Sequence, residues 1–261
     1  MDKVVVVTGG TSGIGRELVN LYLRDNDQVV ILANANLYKM ENVILCDVGN
    51  EEEVKDAFES IKQKYGRVDI LVNCAGFGVS GALELIPNEK AESIMNVNFM
   101  GVYNCTKYAL PLMSKGSNVV NISSACALFP VPFRGLYCAS KAAVSLLSYS
   151  WRMECEPFGV NICCVCPGDV RTEFTKNRVK NFDTNERYGT RVKTATEKVD
   201  SRQDKRMEPY KVAKKIYKYS IKKKPKPMII ISAKYKMLYF ASKIFPLSWL
   251  LYFTQKFYGG K

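Results

Sequence analysis

Short apolar runs alternate along the chain with longer amphipathic stretches. The runs are rich in β-branched residues and too short for helices, which is typical of strands buried in a parallel sheet. They occupy residues 3–8, 28–33, 43–46, 68–72, 118–122, 160–165 and 228–232. Helical periodicity marks the stretches between them, at residues 16–24, 51–65, 88–113, 137–156 and 210–224. Strands that alternate with helices in this way predict one α/β domain with a parallel sheet.

A glycine-rich turn separates the first predicted strand from the first predicted helix. Its sequence, TGGTSGIG, runs from Thr8 to Gly15, and Gly9, Gly13 and Gly15 have the spacing of a tight turn that opens a helix. Bare backbone at this point can approach a pyrophosphate, whose charge the helix dipole favours. A glycine-rich turn alone is weak support, but its place between strand and helix predicts a dinucleotide site.

The end of the second strand bears on which dinucleotide binds. Many dinucleotide folds carry an acid here that binds the ribose 2′-hydroxyl. This chain has Asn34, Ala35 and Asn36 instead, so nothing repels a 2′-phosphate and NADP(H) is slightly favoured over NAD(H). The short link to the third strand predicts a reduced or missing helix. At the end of the third strand, Asp47 can accept a hydrogen bond from adenine or cap the helix that starts near Glu51.

A serine, a tyrosine and a lysine form a candidate proton-transfer set. Ser124 lies thirteen residues before Tyr137, and Lys141 follows the tyrosine by four, which places ammonium and phenol on one helix face. A nearby cation favours the phenolate, and lowering the tyrosine pKa by roughly 2–3 corresponds to about 3–4 kcal/mol. Ser124 ends a buried apolar run and can hold the oxygen of an alcohol or ketone. A lone YxxxK pair is more often a half-exposed helix face, so this interpretation depends on the nucleotide site.

Three other segments complete the pattern. Small residues, Asn73-Cys-Ala-Gly76, end the fourth strand where such sheets bind ligands. Asn98 lies inside a predicted helical region, where asparagine is either tolerated or kinks the helix. The sixth strand ends in Pro167-Gly-Asp-Val-Arg-Thr172, a turn at the mouth of the expected cleft.

TGGTSGIG, Asp47, NCAG, Asn98, Ser124, YCASK and PGDVRT follow one another in an order that resembles the short-chain dehydrogenase/reductase family over about residues 3–231. The resemblance implies a single-domain Rossmann fold, a doubly wound parallel sheet of about seven strands with helices on both faces. It implies nicotinamide-dependent chemistry in which Tyr137 is the general acid/base and Ser124 orients the substrate oxygen. Lys141 would bind the nicotinamide ribose and lower the tyrosine pKa, and Asn98 would hold a water in a proton relay.

The same resemblance implies which residues contact the cofactor. They are Thr8, Gly9, Thr11, Ser12, Gly13, Ile14, Gly15, Asp47, Val48, Asn73, Ala75, Gly76, Tyr137, Lys141, Pro167, Gly168, Val170 and Thr172. The chain has NCAG where the family usually has NNAG, which keeps the first Asn, the Ala and the Gly. Family members commonly form homodimers or homotetramers, so we expect one of these assemblies and no nucleic-acid partner.

Composition limits the possible chemistry. The chain has 261 residues, of which 47% are hydrophobic, and this rules out a disordered chain. It has no histidine, which excludes a Ser-His-Asp triad and a mixed Cys/His zinc site, and we expect no metal. Nine cysteines, an odd number, indicate reduced thiols in a reducing compartment. We expect no targeting segment before Val4 and no membrane-spanning helix, and therefore a cytoplasmic protein that can also associate with a membrane.

Charge is distributed unevenly. Residues 1–173 carry a net charge of −4 and residues 174–261 a net charge of +17. This asymmetry indicates an anionic partner such as a membrane surface, or else a solvated basic face that aids solubility. We expect a catalytic domain over residues 1–232, with residues 173–209 as a substrate loop or lid, or else disordered. The apolar, basic extension 233–261 can cap a substrate tunnel, lie on a membrane or contact another subunit.

Two functional hypotheses follow. The first is an NAD(P)-dependent alcohol dehydrogenase or ketone reductase, acting on an apolar substrate such as a steroid, retinoid or fatty acyl derivative. The extension resembles those of family members that act on such lipids. The second is a non-catalytic NAD(P)-sensing protein that docks on a membrane or another anionic partner through its basic end. The complete set of Asn98, Ser124, Tyr137 and Lys141 favours the first hypothesis, because a pure binding protein has no use for all four.

Overall fold

A computed structural model of the chain describes residues 2–36, 39–201 and 206–259. Its strands are β1 Val4–Thr8, β2 Gln28–Ala33, β3 Val43–Leu45, β4 Ile70–Asn73, β5 Val79–Ser80, β6 Asn118–Ile122, β7 Asn161–Pro167, β8 Val179–Lys180 and β9 Met228–Ile231. Its α-helices are α1 Gly13–Arg24, α2 Glu51–Tyr65, α3 Asn88–Met95, α4 Gly101–Ala109, α5 Gly135–Glu154, α6 Arg191–Asp200, α7 Pro209–Ser220, α8 Ala233–Ile244 and α9 Leu247–Tyr258.

Seven of these strands form one sheet in the order β3-β2-β1-β4-β6-β7-β9, and every pairing in it is parallel. From β1 the next two strands, β2 and β3, are added toward one edge of the sheet, and from β4 the strands β6, β7 and β9 are added toward the other. The strand order therefore reverses between β1 and β4, where an open α/β sheet has its ligand crevice, at the carboxyl ends of the strands. This confirms the predicted doubly wound parallel sheet with helices on both faces.

Alternate side chains of the strands supply two core layers. Val5 and Val7 pack on one face with Leu18 of α1 and Ile216 of α7. Val6 points to the other face, into a layer that also holds residues of α2, α4 and α5, including Phe58, Cys105 and Trp151. Because both faces are covered, the strands read as continuous apolar runs, which explains why the pattern predicted them well.

The predicted helical region at 88–113 is divided by an irregular turn. α3 ends at Met95, Asn96–Met100 form a π-helical turn, and α4 begins at Gly101. Asn98, which is fully buried, lies inside this turn. Such turns bulge one helical turn outward and are frequent at functional sites. Of the two alternatives for Asn98, the structure therefore shows the distorted helix.

Other boundaries differ from the predictions by a few residues. α7 ends at Ser220, four residues before the predicted end. The helical period of residues 210–224 predicts inward orientation for Val212, Ile216, Tyr219 and Ile221. Val212 and Ile216 are buried, but the prediction for Ile221 is wrong, because its side chain is 41% exposed. Ile221 follows the last turn and no longer keeps the helical phase. Between β2 and β3, the described residues form no helix, as the short link predicted.

The polar segment 173–209 is folded in its described part. β8 pairs in parallel with β5, Val79 opposite Val179, and α6 follows. A further bridge joins Val170 to Met207. Both ends of the segment are thus attached beside the carboxyl edge of the main sheet.

The extension after β9 forms two helices, because Pro246 separates α8 from α9. None of the helices in the described residues has both the length and the apolarity needed to cross a bilayer. All nine cysteines are free, and neighbours in β7 face opposite sides of the sheet, as Cys163 and Cys164 show.

Candidate active site

A cleft of about 610 Å³ opens at the carboxyl edge of the sheet. The glycine-rich turn forms part of its wall: Gly9 and Gly13 have left-handed backbone, with φ of 65° and 52°. A Cβ on Gly9 would lie 2.9 Å from the Cα of Ala75, so a side chain has no room there. The turn leads into the N-terminus of α1, which no side-chain hydrogen bond from Ser12 caps. Bare backbone and an uncapped helix end fit a pyrophosphate.

Most of the predicted site residues line this cleft. The residues on its wall are Gly9, Thr11, Ser12, Gly13, Ile14, Asp47, Val48, Ala75, Gly76, Ser124, Tyr137, Lys141, Pro167, Gly168, Val170 and Thr172. Four predicted residues lie behind the wall instead: Thr8, Gly15, Asn73 and Asn98. Direct cofactor contact for the first three, and a water-holding role for the fourth, stay predictions.

Thr8 and Asn73 hold the strand ends together. The Thr8 hydroxyl accepts hydrogen bonds from the backbone N–H groups of Cys74 and Ala75, both at 3.0 Å. Asn73 Nδ2 donates to Asn121 Oδ1 at 2.8 Å and to Thr106 Oγ1 at 3.0 Å. The NCAG segment is therefore fixed to the glycine-rich turn and to β6, which shapes the wall that a nucleotide would pass.

Asp47 lies exposed at the end of β3, on the wall of the cleft. Its Oδ1 accepts a hydrogen bond from the backbone N–H of Gly49 at 2.9 Å. The helix cap considered for it belongs to another residue: Asn50 caps α2, accepting from the N–H groups of Glu52 and Glu53. The capping alternative for Asp47 is therefore wrong, and the adenine contact stays a prediction.

Asn98 clamps the loop that follows NCAG. Its Oδ1 accepts from the backbone N–H of Phe77 at 3.0 Å, and its Nδ2 donates to the Phe77 carbonyl at 2.9 Å and to Ser140 Oγ at 3.1 Å. A Cβ on Gly76 would lie 2.8 Å from Asn98 Oδ1 and 3.3 Å from Lys141 Nζ. The π-helical turn thus brings a buried amide to within reach of α5 and of the loop after β4.

Lys141 is a buried cation. Its side chain is on α5, the residue is 4% exposed, and Nζ donates to the carbonyl of Ile122 at 3.0 Å. Burial lowers the pKa of Lys141 to about 8. An anionic ligand that hydrogen-bonds to this ammonium would favour its charged form again.

Tyr137 and Ser124 stand together on the same wall. The Ser124 hydroxyl is close enough to the Tyr137 phenol to influence its pKa, and it accepts a hydrogen bond from the backbone N–H of Cys126 at 3.1 Å. Burial raises the pKa of Tyr137, and the neighbouring Ser124 hydroxyl lowers it by less. The sequence predicted that Lys141 lowers the pKa of Tyr137, whereas the pKa is raised in the protein without a ligand. The reason is that the loss of water around the phenolate outweighs the effect of the nearby positive charges.

Several cleft residues were missed by the sequence analysis. Phe174 packs its ring against Tyr137 with 5.5 Å between centroids, and Tyr235 of α8 donates to Asp169 Oδ2 at 2.8 Å. Arg134, Arg178 and Arg206 also line the wall. Phe174 and Arg178 belong to the polar segment, which has no period that would have pointed to the cleft. Arg134 lies three residues before Tyr137, and this closeness was the one available signal.

The chain matches the family model described as short chain dehydrogenase over residues 3–183. It therefore belongs to the short-chain dehydrogenase/reductase family, a family of NAD(P)-binding oxidoreductases. It is 33% identical over 257 residues to the 3-ketodihydrosphingosine reductase of Bacteroides thetaiotaomicron, with 95% of this chain and 93% of that protein covered.

Solved structures show the same fold. A short-chain dehydrogenase/reductase from Burkholderia phymatum in complex with NAD superposes with a TM-score of 0.80 at 22% identity, covering 93% of this chain and 94% of that one. The structure of ElxO with NADP bound gives a TM-score of 0.72 at 29% identity, covering 91% and 100%. Similar folds thus hold either nucleotide.

Proposed function

We propose that the protein is an NAD(P)-dependent alcohol dehydrogenase or ketone reductase whose proton donor and acceptor is the Tyr137 phenol. The observation that carries the proposal is that Ser124 and Tyr137 line one cleft, which also contains a buried ammonium and a bare glycine turn. Family membership makes nicotinamide chemistry the expected class.

The residues divide the chemistry between them. A bound nicotinamide nucleotide supplies or accepts the hydride. In the reducing direction, the Ser124 hydroxyl holds the carbonyl oxygen and Tyr137 gives that oxygen its proton. The raised pKa of Tyr137 keeps the phenol protonated at neutral pH, which suits a proton donor. In the oxidising direction the same phenol must lose its proton, and the Lys141 ammonium favours that state.

Lys141 also has a binding role in this proposal. It hydrogen-bonds the ribose hydroxyls of the nucleotide, as the family resemblance implies. Asn98 fixes the backbone of Phe77 and so positions the wall beside Lys141. A water held near Asn98 would connect Lys141 to solvent and complete the proton relay.

An apolar alcohol or ketone is the proposed substrate. Phe174 packs its ring against Tyr137, and the similar protein from Bacteroides thetaiotaomicron is named a 3-ketodihydrosphingosine reductase. Medium-chain 2-ketones, steroid ketones, 3-ketodihydrosphingosine and a set of polar sugars, each offered with NADPH, NADH, NADP⁺ and NAD⁺, test this by nicotinamide absorbance. We expect turnover of at least one apolar ketone, at a rate that increases with enzyme concentration. Turnover confined to polar sugars would contradict the substrate class.

We propose NADP(H) as the preferred cofactor, because the end of β2 carries no acid. Asn34 lies at this end, on the wall of the cleft. Replacing it by aspartate adds a carboxylate where a 2′-phosphate would sit. Two like charges about 4 Å apart repel by roughly 4 kcal/mol at an effective dielectric constant of about 20, and salt weakens this. We expect Asn34→Asp to raise the Kd for NADPH relative to that for NADH by at least about tenfold, measured by fluorescence titration.

The matched control for this substitution is Asn88→Asp, at the exposed start of α3 and outside the cleft wall. It adds the same charge and should leave the Kd ratio unchanged. An unchanged ratio in Asn34→Asp as well would show that the 2′ position lies elsewhere, and the preference for NADP(H) would lose its basis.

We also propose that α8 and α9 dock on an anionic membrane surface. Residues 233–261 contain five lysines and no acidic residue. Apolar side chains of both helices are exposed, among them Trp249, which is 55% exposed and stacks on Phe245 with 5.6 Å between ring centroids. Aromatic rings with lysines around them are typical of a helix that lies at the headgroup level.

Co-sedimentation with vesicles tests this docking. We expect binding to vesicles that contain phosphatidylserine, weaker binding at high salt, and a clear loss in the double variant Phe245→Ser with Trp249→Ser. The control is Phe158→Ser, because Phe158 is also apolar and exposed. It precedes β7 and therefore lies at the amino-terminal ends of the strands, whereas α8 follows the carboxyl end of β9. Equal binding to neutral vesicles, or a similar loss in the control, would count against the membrane role.

A further inference from the structure

Three arginines line the cleft beyond Tyr137, and no step of the proposed reaction uses them. Arg134, Arg178 and Arg206, here called the arginine cluster, come from two separate parts of the chain. Arg178 and Arg206 flank α6 in the polar segment, and their side chains are each 5% exposed. Arg134 directly precedes α5. Arginines that are mostly buried in a cleft require an explanation, since such charges are costly unless they are paired.

The cluster lies close to the reacting phenol. Arg134 is three residues before Tyr137, about one helical turn away. Arg178 is linked to the phenol through Gly78: a Cβ at this glycine would lie 3.2 Å from the Phe174 ring and 3.3 Å from Arg178 Cγ. The ring of Phe174 in turn packs on Tyr137. The cluster therefore belongs to the substrate end of the cleft.

These arginines are too far from the end of β2 to bind the 2′-phosphate of a nucleotide. That phosphate would lie at the end of β2, whereas Tyr137 and Ser124 lie beyond the end of β6. In the sheet, β2 and β6 are separated by β1 and β4. Three strand spacings amount to about 14 Å, so one group cannot contact both places.

The carboxylates nearby do not balance the charge. Asp200 binds Arg178 at 3.0 Å, Lys180 at 2.8 Å and Arg206 at 4.0 Å, so three cations share one acid. Among the described cleft-lining residues the acids are Asp47, at the adenine end, and Asp169, which accepts the hydrogen bond from Tyr235. The substrate end thus keeps an excess of positive charge. Burial, together with the charge of Arg134, lowers the pKa of Arg178 to about 10.

The three arginines are held in different ways. Arg206 donates to Thr175 Oγ1 and to the carbonyl of Val199, so its guanidinium is fixed by the protein. Arg178 is fixed by Asp200. Arg134 is not: its Nη2 is buried and finds no hydrogen-bond acceptor in the described part of the chain. The buried guanidinium nitrogen of Arg134 lacks an acceptor and lies beside two immobilised arginines. A bound oxyanion would accept its hydrogen bond.

We propose that the arginine cluster binds an oxyanion, a carboxylate or a phosphate, that the substrate carries at some distance from its reacting carbon. The inference rests on the proposed function and narrows its substrate class, from any apolar ketone or alcohol to an apolar chain with an anionic group. Arg134 supplies the contact that is free for the substrate, and Arg178 adds charge.

Equilibrium binding tests the anion site without turnover. Decanoate and decyl phosphate represent the two oxyanions, and decanol is the neutral control, each titrated into the protein with NADP⁺ present. We expect at least one of the anions to bind roughly ten- to a hundredfold more tightly than decanol, since hydrogen bonds to charged groups have this strength. The tighter of the two identifies the group. Arg134→Met should abolish the difference.

Arg191→Met is the matched control for this variant. Arg191 lies over the Phe133 ring at 5.8 Å and is exposed outside the cleft wall, so its loss should leave the binding of all three probes unchanged. If decanol binds as tightly as both anions, or if Arg134→Met retains the anion preference, the proposal is overturned. The second result would place the anions elsewhere, on the basic extension for example.

Turnover separates this inference from the proposed reaction. Oxo-carboxylates with two to six carbons between ketone and carboxyl group are compared with their methyl esters. We expect kcat/KM to favour the acid by at least about tenfold for the best chain length, and Arg134→Met to remove this preference mainly through KM. If acids and esters react equally well, the reaction stands and the anion site fails. If neither reacts while decanoate binding still depends on Arg134, the reaction fails and the anion site stands.

Discussion

Replacing Tyr137 by phenylalanine should lower kcat by a factor of roughly 10²–10⁴ with any ketone that the wild-type protein reduces. The variant loses only the phenolic oxygen, which is the proposed proton donor, and general acid–base groups typically contribute this much. The ring remains, and with it the packing on Phe174. We therefore expect the melting temperature and the Kd for NADPH to stay near the wild-type values. Steady-state kinetics, thermal denaturation and nucleotide titration check the three quantities.

Tyr149→Phe is the control, since Tyr149 lies on the same helix, α5, outside the cleft wall. Its kcat should equal that of the wild-type protein. If Tyr137→Phe retains turnover within tenfold of the wild type for every responsive substrate, Tyr137 is not the proton donor. If the wild-type protein binds NADPH but reduces nothing, the non-catalytic nucleotide-sensing alternative gains support.

Replacing Asn98 by leucine should destabilise the protein by about 2–6 kcal/mol. Leucine has a similar size but cannot bond to Phe77, whose backbone N–H and carbonyl would be left without partners, at about 1–3 kcal/mol each. Total stabilities of about 5–15 kcal/mol make this a large fraction. Urea denaturation gives the free energy of unfolding, and the midpoint should fall without a change in slope.

Asn104→Leu is the matched control, because Asn104 is also a buried asparagine. It lies in α4, the helix that follows the π-helical turn of Asn98. Its Nδ2 makes one bond, to the carbonyl of Val48 at 3.1 Å. We expect a loss of about 1–3 kcal/mol, less than for Asn98. An Asn98→Leu variant as stable as Asn104→Leu would show that the clamp on Phe77 contributes little.

The strands and the nucleotide turn could be predicted from sequence because local chemistry determines them. A strand covered on both faces is apolar throughout, so the buried runs at β1 and β6 were visible without knowledge of their neighbours. The turn from Thr8 to Gly15 was visible because glycine is needed where φ is positive and where backbone packs on backbone. Both features depend on a few consecutive residues.

The function of the buried polar residues could not be read in the same way. Asn73 was predicted to contact the cofactor and Asn98 to hold a water, and the structure shows that their amides bond to groups distant in sequence, Asn121 and Phe77. Sequence shows that a polar residue lies in an apolar region. It does not show whether its partner is a bound molecule or another strand.

The arginine cluster and the pKa of Tyr137 could not be predicted from the sequence for a second reason, which is that both depend on the complete fold. Arg178 and Arg206 belong to a segment without periodicity, and the pairing of β8 with β5 and the bridge from Val170 to Met207 bring that segment to the cleft. The pKa of Tyr137 depends on how completely the fold removes water from the phenol, which the four-residue spacing to Lys141 cannot reveal. Spacing gives proximity, whereas solvation is a property of the whole fold.

The pairing of β5 with β8 has a consequence for the order of folding. It joins Val79 to Val179, positions separated by a hundred residues, through a ladder of two residue pairs. Closing so long a loop costs conformational entropy that two pairs offset only in part. The ladder therefore forms after the main sheet and melts before it, as the least stable part of a structure does. Local melting of this ladder would release the adjoining residues Phe77 and Arg178 of the cleft wall while the seven-stranded sheet stays intact.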